Sequence, residues 1–306
     1  MDTNEQPTTT EHYHQRMLTV LQYIQENLNA PLELDSLARI ACFSPFHFHR
    51  IFKAMVGEGV YEHVRRLRLE RAATQLILTS SGILPIALEA GFESHEAFSR
   101  AFKAMFKQSP AAFRAQRRGE VVASGRSKVH YGATLSAESL SSILPKKGKL
   151  PMEVKIVDCK PIQVAFVRHV GPYANVHKAW STVCSWAGKR GLLGPETQAL
   201  GVSYDDPTIT PPEKLRYEAC ITLAQAVEAE GEIGVRTIPG GLYAVCRHKG
   251  SYAKLSQTFA MFYGQWLPSS GYTCRNLPPY ELYVNDPEKT PEAELLTDIY
   301  VPVEKS

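Results

Sequence analysis

Apolar residues recur at helical spacing across residues 18–118, and the pattern breaks into elements with legible ends. Leu34, Leu37, Ala38 and Ala41 share a face at i, i+3, i+4 and i+7, which predicts a short helix over 34–41 with Cys42 and Phe43 making the turn after it. Ser44 then stands as an N-cap, with Pro45 at the first helical position, where its missing N–H costs nothing. The next helix points Phe48, Ile51, Phe52 and Met55 inward and leaves His49, Arg50 and Lys53 outside, with Phe46 near its start. Val60 to Leu78 predicts one long helix. A second short helix over 86–90 is followed by a turn in which Gly91 suits a left-handed backbone. Ser94 caps the last helix, which buries Phe98, Ala101, Phe102 and Met105 and leaves His95, Glu96, Ser99, Arg100 and Lys103 outside.

The two helical pairs are copies. At an offset of fifty residues Ser44 matches Ser94, Phe48 matches Phe98, Arg50 matches Arg100, Phe52 matches Phe102, Lys53 matches Lys103 and Met55 matches Met105. Each copy has the form of a helix-turn-helix whose second helix packs on one side and offers donors to a major groove on the other. The connector of nineteen residues spans about 28 Å at about 1.5 Å per residue. That is close to the roughly 34 Å between equivalent major-groove positions, so one chain is expected to grip two adjacent grooves of double-stranded DNA. Arg50 and Arg100 are the first choices for base contacts because a guanidinium grips guanine O6 and N7 in two places and also reaches phosphate. His49 and His95 come second, and Phe46 meets a thymine methyl or closes the helix start; His47 and Glu96 are open to a plain surface role. Arg65, Arg66, Arg68 and Arg71 crowd the connector, where Arg65 and Arg68 meet phosphates or solvent.

Beyond residue 151 the pattern changes to alternation. Val154-Lys155-Ile156-Val157 and Val164-Ala165-Phe166-Val167 read as strands, and helices and further strands follow, so this half is α+β. It too repeats, at an offset of seventy-nine: the run from Val164 to Tyr173 matches the run from Tyr243 to Tyr252, each a strand ending in Gly-x-Tyr and opening into a helix. Helices over 176–190 and 255–267, the segments 201–207 and 281–287, and closing strands over 217–223 and 296–302 complete two strand-helix-strand-strand units. Paired across a pseudo-twofold seam, they leave a groove as the natural ligand site. Tyr173, Trp180, Trp186, Tyr204, Tyr252, Phe259, Trp266, Tyr280, Glu281 and Tyr283 gather near that seam. Glu281 stands inside an apolar run, where it either finds a hydrogen-bonding or positive partner or turns to solvent by strand alternation. His169 and His248 occupy equivalent repeat positions, which marks them first as structural.

Charge follows the same division. The formal net charge of +3 hides thirteen basic against six acidic residues over 39–118, and fifteen against seventeen over 151–306. The basic part is where a polyanion is met. The six cysteines are scattered without metal-ligand spacing and read as core thiols; no metal site, catalytic cluster or cofactor motif is expected. Residues 1–11 are polar and expected to be disordered, and they form neither a secretory nor a transit segment. With no run long and apolar enough to span a bilayer, a cytoplasmic protein without membrane contact is expected. Residues 119–150, rich in serine with Lys146, Lys147 and Lys149 near their end, read as a linker with a short ordered piece around 134–144. The domains are therefore an all-α double helix-turn-helix over 12–118 and a pseudo-twofold α+β domain over 151–306.

The segments SPFHFHRIFKAM, VYEHVRRLRLERA and IALEAGFESHEAFSRAFKAMFKQSPAAFR resemble the AraC/XylS family of bacterial transcription regulators. The resemblance implies sequence-specific promoter binding, usually activation through contact with RNA polymerase, and puts groove-reading positions at Phe46, His49 and Arg50 and at His95, Glu96 and Arg100. The half from 151 to 303 resembles the GyrI-like (SHS2-type) effector-binding domain, whose Y-E-x-Y segment is here Tyr280-Glu281-Leu282-Tyr283. In multidrug-sensing relatives that carboxylate and the aromatics around it hold lipophilic cations, which implies a small aromatic or lipophilic cationic effector. Some relatives hydrolyse small electrophiles, so a hydrolase or a ligand-sequestering protein carrying a DNA-binding part is the alternative function. Both monomer and homodimer remain open.

Overall fold

The computed structural model describes residues 9–116, 152–207 and 210–306; the predicted linker over 119–150, with its short ordered piece, lies outside them. The chain divides into two compact units, one of Met1–Tyr13, Cys42–Gly57 and Leu144–Ser306, the other of His14–Ala41 and Glu58–Ile143. Helix α1 (Thr9–Glu26) opens in the first unit and continues into the second. The expectation of disorder over 1–11 therefore fails at Thr9–Glu11, where Thr10 Oγ1 donates to the Pro268 carbonyl and anchors the helix start. Residues 1–8 lie outside the described residues.

The second unit carries α2 (Leu34–Ile40), α4 (Val60–Leu78), α5 (Ile83–Glu89) and α6 (His95–Phe106). Helix α4 has the predicted bounds, and its N-terminus is closed by the Glu62 carboxylate accepting from the Gly59 N–H at 3.0 Å. Leu69, Ala72, Ala73 and Leu76 of α4 pack with Ile86, Ala87 and Ala90 around α5 and with Phe98, Ala101 and Phe102 of α6. Phe113, from a helical turn at residues 110–116, closes this core. Ser94 caps α6 as predicted, its hydroxyl accepting from the Ala97 N–H at 3.1 Å. Gly91 takes φ +78, a left-handed backbone that other residues adopt only under strain, so the turn into α6 favours glycine.

In the first unit, α3 (Pro45–Val56) accompanies a curled antiparallel sheet. Its strands are β1 (Val154–Cys159), β2 (Ile162–Val170), β3 (Ala199–Ser203), β4 (Arg216–Thr222), β5 (Ile233–Ile238), β6 (Gly241–Lys249), β7 (Tyr272–Cys274), β8 (Tyr280–Tyr283) and β9 (Leu296–Lys305). They run in the order β1-β6-β9-β8-β3-β4-β2-β5, with β7 added on β9. Helix α7 (His177–Lys189) follows β2, and α8 (Leu255–Met261) follows β6 and continues through a π turn, Phe262–Trp266. The pseudo-twofold is as predicted, with β3 and β8 meeting at the seam, but each repeat also has a leading strand, β1 or β5. Each leading strand pairs in the opposite repeat: β1 on β6 and β5 on β2. Two residues join β1 to β2 although they stand toward opposite ends of the strand order, so the sheet must curl until those ends meet.

The curl gives the sheet two apolar faces. Ala165, Val167, Tyr217, Ala219 and Ile221 pack beneath Ala179, Val183, Trp186 and Ala187 of α7. The alternate residues Val164, Leu200, Val202 and Cys220 join Tyr243 and Tyr280 on the opposite face. Of the cysteines, Cys220 and Cys246 are buried, whereas Cys42 and Cys184 are exposed, against the reading of all six as core thiols. Both repeat histidines are structural: His169 and His248 each bond through Nε2 to the carbonyl three residues on, at 3.1 and 3.0 Å, fixing the corner between strand and helix.

Candidate effector cavity and DNA-reading helices

At the seam Gly201 of β3 faces Glu281 of β8. Period-two alternation turns Glu281 and Tyr283 to the helix side of the sheet together with Ser203. There Glu281 accepts from Ser203 Oγ at 3.2 Å and from Tyr283 OH at 2.9 Å. The chain of bonds continues to Tyr217 OH, 2.9 Å from Tyr283 OH, which accepts from Trp180 Nε1 at 3.2 Å. A Cβ at position 201 would collide with both phenol oxygens, so the glycine makes the room in which this network forms. Glu281 is only 5 % exposed. Burial pushes its carboxyl above the usual range, while the bonds from Tyr283 and Ser203 and the charge of Arg50 pull it partly back. The network floors a groove of about 2010 Å³ whose walls include Tyr173, Trp180, Tyr252 and Phe259. The rings of Trp180 and Tyr252 both meet Tyr283 edge-on, at 5.6 and 5.4 Å between centroids.

Helix α3 closes one side of the same groove, to which it contributes Arg50, Lys53 and Ala54. His47 Nδ1 lies 2.7 Å from Tyr263 OH, and its Nε2 lies 3.0 Å from the Leu277 carbonyl oxygen. Burial, aided by the charge of Arg50, lowers the His47 pKa to about 3. The Arg50 guanidinium stands 4.9 Å from the centre of the Phe259 ring and donates to the Asp205 carbonyl at 3.4 Å, and His49 Nε2 lies 3.9 Å from an Asp206 carboxylate oxygen. Ser44 makes no cap; its hydroxyl donates instead to Asn276 Oδ1 at 3.0 Å.

A family profile described as the GyrI-like small molecule binding domain matches residues 152–304, half of the chain. The chain belongs to the GyrI-like family. A helix-turn-helix domain profile matches residues 37–116, ahead of the GyrI-like domain. The GyrI-like half is 32 % identical over 157 residues to the probable transcriptional regulator YgiV of Escherichia coli (strain K12), covering 50 % of this chain and 98 % of that protein. The helical half is 38 % identical over 103 residues to the uncharacterized HTH-type transcriptional regulator YbfP of Bacillus subtilis (strain 168), covering 34 % of this chain and 35 % of the relative. The chain thus spans about a third of that relative's length. The crystal structure of the EcmrR C-terminal domain is 24 % identical, with a TM-score of 0.45, covering 51 % of this chain and 99 % of that one.

Within the GyrI-like domain the predicted ligand residues divide. Tyr173, Trp180, Tyr252, Phe259, Glu281 and Tyr283 line one groove. Tyr204, Tyr280 and Trp266 do not. Alternation sends Tyr204 and Tyr280 to the opposite face, where Tyr280 stacks on Tyr300 at 4.5 Å and Tyr204 OH donates to Glu218 at 3.0 Å. Trp266 lies in the π turn against Phe262 and Tyr272. Sequence reasoning missed Glu218, fully buried yet paired with Arg168 at 2.6 Å and Arg236 at 2.7 Å. It also missed the entry of α3 into the groove; the one local signal for it was Gly264, inside an otherwise bulky helical run.

The reading helices divide as well. In α6 His95, Glu96, Arg100 and Lys103 are exposed as predicted. In α3 Phe46 and Lys53 are half-buried, and His49 and Arg50 are 3 % and 9 % exposed, because residues far along the chain cover the face that the helical pattern leaves outside. His47, open to a surface role by sequence, is fully buried. On α4 Arg65 is exposed, but Arg68 is taken up by the carbonyls of Leu28 and Ala30 at 2.8 and 3.0 Å, a structural post rather than a phosphate contact. Among the described residues no group of His, Cys, Asp and Glu could hold a metal ion, and no helix is long and apolar enough to cross a membrane.

Proposed function

We propose that this protein is a one-component, sequence-specific DNA-binding transcription regulator whose GyrI-like domain takes a lipophilic aromatic cation at Glu281. The observation that carries the ligand class is a buried carboxylate at the floor of an aromatic-walled groove, held by hydroxyl donors of Ser203 and Tyr283. A lipophilic aromatic cation lays its rings against Trp180, Tyr252 and Phe259 while Glu281 neutralises it. Tetraphenylphosphonium serves as the probe. In calorimetric titration Glu281→Gln binds it about tenfold or more weakly than the parent, the size of a charge-assisted contact; equal affinities overturn the cation role. The sign of the pH dependence follows from the raised Glu281 pKa. Below the ordinary carboxyl value the neutral form persists and favours the empty fold, and as pH rises through the raised value the charge appears and binding tightens. The glutamine variant loses that slope.

On the DNA side, Arg100, exposed on α6, reads base edges, His95 and Glu96 flank it, and Lys103 and Arg65 meet phosphate. Phe46, His49, Arg50 and Lys53 do the same from α3 when that face is open, so that one chain spans two adjacent grooves. Against a duplex selected by the full chain from a random pool, Arg100→Ala costs about 1–3 kcal/mol and relaxes sequence preference. An equal loss on unselected DNA in electrophoretic shift assays would instead make Arg100 a phosphate clamp. Promoter output then passes through contact with RNA polymerase.

A further inference from the structure

The two reading helices are copies in sequence but not in surroundings. Arg100 and Lys103 stand in solvent, whereas their counterparts Arg50 and Lys53 line the groove that also holds Glu281. Four local features make this a built contact. Gly264 in the π turn leaves room for the α3 backbone, since a Cβ there would lie 2.9 Å from Ala54 Cβ and 3.1 Å from the Ala54 carbonyl oxygen. Both ring nitrogens of His47 are satisfied, by Tyr263 and by the Leu277 carbonyl. The Ser44 hydroxyl is given to Asn276, whereas its counterpart Ser94 caps its own helix. Arg50 lies over Phe259, a wall of the groove, at 4.9 Å, which is the contact an aromatic-seeking cation makes.

We propose that α3 is an internal ligand of the effector groove, with Arg50 as its resident cation, so that docking withholds the first reading helix from DNA and the groove from an external cation. The proposal rests on the cation reading of the groove given above. Burial works against the Arg50 charge, but the carboxylates of Asp206 and Glu281 favour it and keep the guanidinium charged. DNA and cation both select the undocked helix, so each strengthens the other's binding by the same factor, up to the equilibrium constant for docking. The second head needs no release, which leaves the undisturbed chain a one-groove binder.

The test uses the full chain, tetraphenylphosphonium and acylation of histidines by diethyl pyrocarbonate, read by mass spectrometry with exposed His95 as internal control. In the parent, His47 and His49 label far more slowly than His95, and saturating probe speeds them severalfold. Gly264→Val, a wedge against Ala54, speeds them without probe and binds the probe about tenfold more tightly. Tyr263→Phe, which takes away the partner of His47 Nδ1, does the same and covers the case in which the wedge does not fold. Equal probe affinity in parent and variants, with labelling raised, overturns the internal ligand alone and leaves the cation site standing. Absence of probe binding in all of them overturns the cation reading and this proposal with it. Labelling of His47 and His49 unchanged in both variants, or unmoved by bound probe, also overturns it.

Discussion

Glu218→Ala lowers the stability of the GyrI-like domain by about 3 kcal/mol, which for a domain of this size moves its thermal transition down by roughly 6–12 °C. The carboxylate is fully buried and accepts from Arg168, Arg236 and Tyr204. Removing it strands part of that charge, because Arg236 is only 29 % exposed. The cost falls at the low end for a broken buried pair because Arg168 is more than half exposed and rehydrates. The second repeat supplies an internal control. Asp298 pairs with Arg247 at 2.6 Å in the equivalent place, but Arg247 is more than half exposed and is the one arginine paired with Asp298 among the described residues, so Asp298→Ala costs under about 1 kcal/mol. Calorimetry of the two variants that returned equal losses would refute the distinction.

Phe102→Ala costs about 3–5 kcal/mol in the second unit, the range for deleting a fully enclosed aromatic ring. Phe102 is 0 % exposed, and its ring centre lies 5.4 Å from Phe98, 4.4 Å from Phe106 and 5.3 Å from Phe113. Three aromatic neighbours cannot collapse into the space without dragging α6, so the cavity persists and the helix that presents Arg100 loses its seat. Urea unfolding reads the loss directly, and DNA affinity falls with it. A cost under about 1 kcal/mol would mean that this cluster relaxes and that the reading helix is held by something else.

The helical unit was legible because its information is local. The bounds of α4, the cap at Ser94 and the left-handed Gly91 follow from periodicity and turn chemistry within a few residues. The pseudo-twofold was legible from the seventy-nine-residue repeat, and Glu281 from its isolation in an apolar run. The misplacement of Tyr280 was avoidable, since a strand that turns Glu281 and Tyr283 one way must turn Tyr280 the other. The burial of His47, His49 and Arg50 was not avoidable in the same sense. Their amphipathic helix reads as a solvent-facing donor surface, and the groups that cover it, Tyr263, Leu277 and Asp206, lie more than 150 residues away. Of the leading strands, β1 was legible from the alternation at Val154–Val157 and β5 was not, since both lie outside the matched repeat runs and alternation does not say where a strand pairs.

That exchange of β1 and β5 makes the domain indivisible. Cutting the chain between the repeats would strip β2 of its outer neighbour and leave β1 without the partner it finds only on β6, so each fragment would present raw strand edges and an unroofed apolar interior. The duplicated halves are therefore stitched rather than docked. A ligand wedged at their junction works against a continuous hydrogen-bonded fabric, and the movable part of the machine has to be found elsewhere, in what packs onto the sheet.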